Sequence, residues 1–493
     1  MKKISFLFIV LIFMNSSCKI DYINDPFVPQ QGPPAPFMPQ VIYAMSEGPM
    51  FDGRFIGRYI QNWHLTTAND FYDRHGSRRT AAQTGLTASQ VWRNHYWSIG
   101  SNLNQIEIQA KARNLARYVG IAKAIRAWSW QLATDQFGEM PFYQAWDNTL
   151  TAFVYDPQKD IYAGINKLCD EAIQELSANT GIVDPQLRTV ETIYNGDNAK
   201  WIKFAWAVKA RIANHISNKR SYNPAQVIEF VDKALASNAD NALVRFSGAN
   251  SDQSSFMGPT RANFEVFRQS KYFVDLLNGT LLNGVVDPRI SLLLNPTTTT
   301  QTFVGIEPVK GITPTGFTTT TLPTMYGKFI FTDRAPFPLI TYAEMQFIKA
   351  EAAFRQGNRD LAFNSFRAGI RAHMEEVGVS TANINTYLAS AAVPQNAAAL
   401  TLRDIMTQKY IAMWGWNYHE TWTDLRRYNY SGDVFAGFTL PNPLAPENNG
   451  RTVQRLLPTT FSEEDWNRPE FAKVGGMDVD YHVKPIWFAT NEE

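Results

Sequence analysis

Apolar residues recur three and four positions apart over much of this chain. Between about 102 and 134, Leu103, Ile106, Leu115, Val119, Ala122, Ile125 and Ala133 keep that spacing and predict one long helix. Gly138 and Pro141 close it. Asp156-Pro157 opens a further helix running to about Leu176, with proline in the first turn, where its missing N–H costs nothing. Asn198 to Asn218 is a third, with Trp201, Phe204, Ala205, Val208, Ile212 and Ile216 on one face. Asn223-Pro224 begins a short partner that ends near Ala236.

The helices come in pairs. In Ala343 to Glu376, Ala350 and Ala353 are small enough for close packing, Gly357-Asn358 turns the chain, and Ala362 and Phe366 face back. Those offsets resemble the 34-residue tetratricopeptide unit. The pair at 200–237 is looser, and three or four degenerate pairs are present in all. The fold class is therefore mostly α. The stretch 239–340 breaks the pattern. Asn295 to Tyr326 carries the runs Thr297–Thr300 and Thr318–Thr321, four prolines, and only Glu307 and Lys310 as charges. Threonine and proline disfavour helix, so loops and short strands are expected there. The segment 431–493 reads as irregular too.

The start of the chain is a targeting segment. Lys2 and Lys3 precede Ile4 to Met14, which is apolar except for Ser5. This run is too short to span a bilayer but fits the core of a secretion signal. Ser16, Ser17 and Cys18 follow, the arrangement of a lipoprotein cleavage site, although Asn15 stands where leucine is usual. Residues 1–17 are thus expected to be a leader and Cys18 the lipid-bearing first residue. Asp25 to Pro39 holds six prolines, so 18–40 reads as an extended tether and 41–493 as one domain. No other stretch reaches the roughly 18 apolar residues of a membrane span. The second cysteine, Cys169, lies on an apolar helical stripe and is expected to be a buried free thiol.

Charge excludes one class of partner. The formal net charge is +1, and loss of Lys2 and Lys3 with the leader makes it −1, which leaves no footprint for nucleic acid. The seven histidines form no zinc pattern: His419-Glu420 followed by Asp424 lacks the second histidine of a helical metalloprotease motif. Glu420, Asp424, Arg426 and Arg427 read as a salt-bridged helix end rather than an acid–base pair. A nucleophile elbow and a phosphate loop are both missing from the sequence. No catalytic residue, metal or cofactor is expected.

Aromatic residues make up 13% of the chain. Trp92 and Tyr96 share a helix face, and Trp128, Trp130, Trp201, Trp206, Trp414 and Trp422 lie in helical stretches, so core packing is expected for all of them. Tyr72, Phe303, Phe317 and Tyr326 fall in expected loops, where a ring has less core to fill and can stack on the C–H face of a sugar. Asn69-Asp-Phe-Tyr-Asp-Arg-His75 adds Asp73, Arg74 and His75 as hydrogen-bonding groups and is the expected binding loop.

Several stretches, in fixed order, resemble the SusD/RagB family. They are Ala127-Trp-Ser-Trp-Gln-Leu-Ala-Thr-Asp-Gln-Phe-Gly-Glu-Met-Pro-Phe142, Lys200-Trp-Ile-Lys-Phe-Ala205, Pro338-Leu-Ile-Thr-Tyr-Ala-Glu344, Ile405-Met-Thr-Gln-Lys-Tyr410 and Glu420-Thr-Trp-Thr-Asp-Leu-Arg-Arg427, with Arg455-Leu-Leu-Pro458 and Lys484-Pro-Ile-Trp487 behind. The resemblance implies a SusD-like fold, with tetratricopeptide pairs as scaffold and a loop-rich half for the ligand. It also implies an outer-membrane, surface-exposed lipoprotein that captures an oligosaccharide or a peptide and hands it to a SusC-like TonB-dependent transporter, without enzymatic activity. A glycan-active lipoprotein and a protein-binding tetratricopeptide adaptor are the competing readings.

Overall fold

The computed structural model describes residues 32–77 and 89–493; Cys18 and the leader lie outside them. The body is built of helices: α1 (Met38–Tyr59), α2 (Asn102–Ala112), α3 (Ala116–Phe137), α4 (Gln158–Ala178), α5 (Asn198–His215), α6 (Pro224–Lys233), α7 (Tyr342–Gln356), α8 (Arg359–Glu376), α9 (Leu402–Met413) and α10 (Tyr418–Arg427). Helices α3 and α4 pack as a pair, as do α7 and α8, and α5 and α6 join them into one succession, α5 lying on α3 and α4 and α6 on α7. Helix starts follow local chemistry: the side chains of Asp197, Asn223, Thr341 and Asn358 each accept a backbone N–H of the first turn. Gly357, at φ +84°, ends α7. Two small antiparallel ladders tie distant segments together: Trp63–Leu65 with Phe267–Gln269, and Ala242–Val244 with Phe337–Ile340.

Three expectations are corrected. The long helix over 102–134 is two helices. Asn114 adopts φ +55°, which asparagine tolerates, and the chain bends so that Leu115 turns inward. The tether does not extend to residue 40: Ala35–Phe37 form a 3-10 turn and α1 follows, with Pro39 in its first turn. Met38, Val41, Ile42 and Met45 have the i, i+3, i+4, i+7 spacing and are buried, so the periodic signal was present beneath the prolines. Gly53 lets α1 approach α10, since a Cβ there would lie 2.2 Å from Cζ of Tyr418. The Thr-rich insert forms loops but no ladder strand; its pairing is a lone bridge between Ser270 and Ile306. Arg268 holds it down by donating to the carbonyls of Leu322 (2.6 Å) and Thr319 (3.0 Å). Cys169 is fully buried, as expected, and burial pushes its thiol far up.

Candidate functional site

Three segments converge on an aromatic corner. The first is a π-helical turn, Asn94–Ser101, between the short helix Gln90–Arg93 and α2. Such widened turns are frequent at functional sites. This one keeps Trp92 inside, packed edge-on against Phe137 at 5.1 Å, and leaves Trp97 74% exposed. The second is the loop after α3, closed by paired backbone bonds between Met140 and Asp156. The Asp156 carboxylate stiffens it by accepting from the N–H groups of Phe142 (2.7 Å) and Tyr143 (2.9 Å). The third is the segment 459–467. Asn467 clamps Phe153 through both backbone groups, at 2.9 and 3.0 Å, and Glu463 accepts from the Tyr155 hydroxyl at 2.6 Å.

Trp146 is the centre of the arrangement. Its backbone is left-handed, φ +64°, which is costly for a bulky side chain and persists only where the surroundings enforce it. Its indole Nε1–H donates to the Tyr96 carbonyl at 2.7 Å, and the Arg126 guanidinium lies 5.0 Å from its ring. Gly100 makes room: a Cβ there would sit 1.9 Å from Cζ2 of Trp146. The Tyr96 hydroxyl donates to the Pro141 carbonyl at 2.9 Å. Burial raises that phenol well above its ordinary value, reinforced by Glu463 and Asp156, so it stays a neutral donor.

Two clefts open on either side of Trp146. One, of about 430 Å³, is bounded by Trp92, Tyr96, Trp97, Pro141, Phe153 and Glu463. The other, of about 520 Å³, is bounded by Trp130, Phe142, Tyr143, Asp160, Lys167 and Glu171. Tyr143 (69% exposed) and Trp466 (79%) carry further bare rings on the same two segments. Flat apolar faces rimmed by carboxylate, ammonium and guanidinium groups suit a ligand with C–H faces and hydroxyl edges.

The expected binding loop is elsewhere and faces inward. Asp73 and His75 are fully buried and Tyr72 nearly so. Asp73 accepts from Arg58 Nε at 2.9 Å and lies 3.2 Å from His64 Nδ1; burial alone would raise its carboxyl, and these neighbours bring it below the usual range. His75 Nε2 meets the Tyr59 carbonyl at 3.1 Å, and burial pulls its pKa down to about 3, so the ring is neutral. Tyr72 packs on Phe55 at 4.8 Å. Arg74 is half-buried and donates to the carbonyls of Pro443 and Leu444. Phe303 packs against the core, Phe317 is half-buried, and the Tyr326 hydroxyl accepts from the Phe264 N–H at 2.8 Å. None of these residues borders either cleft. Sequence reasoning missed Trp97, Tyr143, Trp146 and Phe153. Two signals pointed to them: Trp97 is one residue off the inward face shared by Trp92 and Tyr96, and the other three lie in a Pro- and Asn-containing loop.

Of the residues read as a salt-bridged helix end, Glu420, Asp424 and Arg427 are ion-paired on α10, and all four are buried rather than at the surface. Asp424 pairs with Arg427 (2.5 Å) and Lys409 (2.8 Å), and Glu351 pairs with Arg427 (2.8 Å). Asp135, His215 and Glu420 bring three ligand-type atoms within 4.8 Å of one another, the spacing of a metal site. The donor set does not fit one. His215 Nδ1 lies 3.3 Å from Asp135 and Nε2 2.8 Å from Glu420, so both ring nitrogens face carboxylates. Burial lowers the His215 pKa, but Glu420 and Asp135 outweigh that and raise it to about 9. An imidazolium has no lone pair to offer a metal. The cluster is an ion-paired core.

A family profile described as "SusD-like_2: Starch-binding associating with outer membrane" matches residues 27–456. No curated protein matches the chain. Among solved structures, a SusD/RagB family protein from Bacteroides thetaiotaomicron is 21% identical, with a TM-score of 0.71 over 94% of this chain and 100% of the other. A SusD homologue from Bacteroides uniformis is 19% identical, with a TM-score of 0.72 over 93% and 99%. A chitin-binding SusD homologue from Flavobacterium johnsoniae is 18% identical, with a TM-score of 0.70 over 93% and 98%.

Proposed function

The chain belongs to the SusD/RagB family, and from that premise we propose that it is a nutrient-binding protein that holds an oligosaccharide along the aromatic clefts on either side of Trp146. The observation that carries this reading is the exposure of Trp97 and Tyr143 beside a tryptophan held in a strained backbone. Singly exposed apolar residues are common, but exposed rings grouped around clefts mark interaction sites. One of the similar structures is a chitin-binding SusD homologue, which favours a glycan over a peptide. The ligand faces move accordingly from the loop 69–75 to the clefts.

The remaining parts of the proposal are the anchor and the partner. Cys18 carries lipid, the protein stands on the outer face of the outer membrane, and it delivers its ligand to a SusC-like TonB-dependent transporter. No helix of the described residues is long and apolar enough to cross a membrane. The test is calorimetry of the purified protein with chito-, malto- and xylo-oligosaccharides and with a random peptide pool. At least one glycan series should bind, with affinity rising with length, and Trp97→Ala and Trp146→Ala should weaken it. Binding of peptides alone, or glycan binding indifferent to both substitutions, would refute the assignment.

A further inference from the structure

A third cavity, of about 710 Å³, lies at the C-terminal end of α10 and shares no lining residue with the aromatic clefts. It is bounded by Asn218, Arg426, Arg427, Arg451, Thr452, Gln454 and Thr490 among others, and no acidic residue is in its lining. Two of its three arginines are neutralised. Arg427 is held by Asp424 and Glu351, and Arg451, on the open rim, meets Asp480 at 2.9 Å.

Arg426 is different. It is only 3% exposed, yet among the described residues its guanidinium has no carboxylate partner. Its N–H groups donate to neutral acceptors: the carbonyls of Asp135 (2.7 Å), Gln454 (2.8 Å) and Trp422 (3.2 Å), and the Thr423 hydroxyl (3.1 Å). Its guanidinium carbon lies 3.9 Å from the Trp422 ring centre and 4.8 Å from that of Phe488. The nearest acid, Asp135, is committed to Tyr162 and His215. Burial pulls the Arg426 pKa down to about 10, against the opposing influence of Tyr430 and Asp135. Next to it, Arg427 Nε has no hydrogen-bond partner. An unpaired buried charge is costly and is ordinarily matched. Arg426, whose guanidinium lacks a counter-charge and keeps one Nη2 hydrogen beyond these four bonds, is among the residues lining a cavity with no acidic residue in its lining.

We propose that this cavity binds a small oxyanion-bearing solute, a carboxylate or sulfate group that completes the charge of Arg426 with Arg451 at the entrance. Two sources share that chemistry, an acidic sugar and a free inorganic anion. The site is distinct from the clefts at Trp146.

The experiment is calorimetric titration of the full chain at low ionic strength with glucuronate, sulfate and, as the neutral control, glucose. Glucuronate or sulfate should bind and glucose should not. Glucuronate binding at least tenfold tighter than sulfate identifies an acidic sugar as the ligand; the reverse order identifies an inorganic anion. Arg451→Glu, on the exposed rim, should weaken binding at least fivefold, and Thr452→Trp should block it, with thermal melting used to show that both variants are folded. Arg426→Gln is informative where it also melts cooperatively, and should abolish binding. Trp97→Ala should leave anion binding unchanged. Absence of anion binding at millimolar concentration, or binding that survives Arg451→Glu and Thr452→Trp, overturns the proposal. So does anion binding that is lost in Trp97→Ala.

Discussion

Single side chains separate the two roles that aromatic residues play in this protein. Trp97 has most of its ring in water, so replacing it removes a surface for ligand and little packing. Trp97→Ala should cost about 1 kcal/mol of binding, roughly a fivefold loss of affinity, with an unchanged melting temperature. Tyr72 is the opposite case: it is packed against Phe55 and Tyr59, with Arg58 over its ring at 5.0 Å. Tyr72→Ala should destabilise the fold by about 3 kcal/mol, the usual cost of emptying a buried aromatic site. Affinity measured below the melting transition should stay at the wild-type value. Denaturant titration together with calorimetry on both variants checks the pair, and a stable Tyr72 variant with weakened binding would reverse the assignment. The sequence could not separate these rings, because loop membership was taken as a sign of exposure. In loop 69–75 the side chains of Tyr72, Asp73 and His75 are buried, and the backbone there is held from a distant segment by Asn448, which donates to the His75 carbonyl at 3.0 Å.

At the level of elements, charges buried between helices set how the scaffold responds to pH. His215 on α5 sits between Asp135 on α3 and Glu420 on α10, so its protonation joins three helices. Its folded pKa of about 9 lies above the ordinary 6.5. The folded state therefore holds a proton that the unfolded chain releases first. That contribution to stability is complete below about pH 6.5 and is lost as pH rises through 9. Urea titrations between pH 7 and pH 9 should show falling stability in the wild type and a flatter profile in His215→Gln, which should also be less stable at pH 7. Equal slopes for the two proteins would show that His215 is not the responsible group. The helices themselves were largely legible in the sequence, because a period of 3.6 is a local property. The errors at Asn114 and at Met38–Tyr59 arose where asparagine and proline were weighed against that period: in one case the special residue broke the helix, and in the other the apolar spacing prevailed.

Over the whole molecule, the proposed biology depends on the chain being held at a membrane. Cys18→Ala should move the protein from the membrane to the soluble fraction of fractionated cells, or leave an unprocessed precursor; unchanged membrane partition would contradict a lipid anchor. The sequence by itself determined the mostly helical class, the paired helices, the buried Cys169 and, through ordered motifs along nearly the whole chain, the family. Each of these depends on local spacing or on the order of segments, and both are linear properties. The tertiary structure alone decided where a ligand can sit. One cleft at Trp146 joins residues 92–97, 141–153 and 459–463, the other joins 126–130, 142–146 and 160–171, and the arginine cavity joins 218, 426–427, 451–454 and 490 among others. Whether a tryptophan is bare or an arginine unpaired depends on which distant segment arrives beside it, and hydrophobic periodicity along the chain contains no information about that meeting.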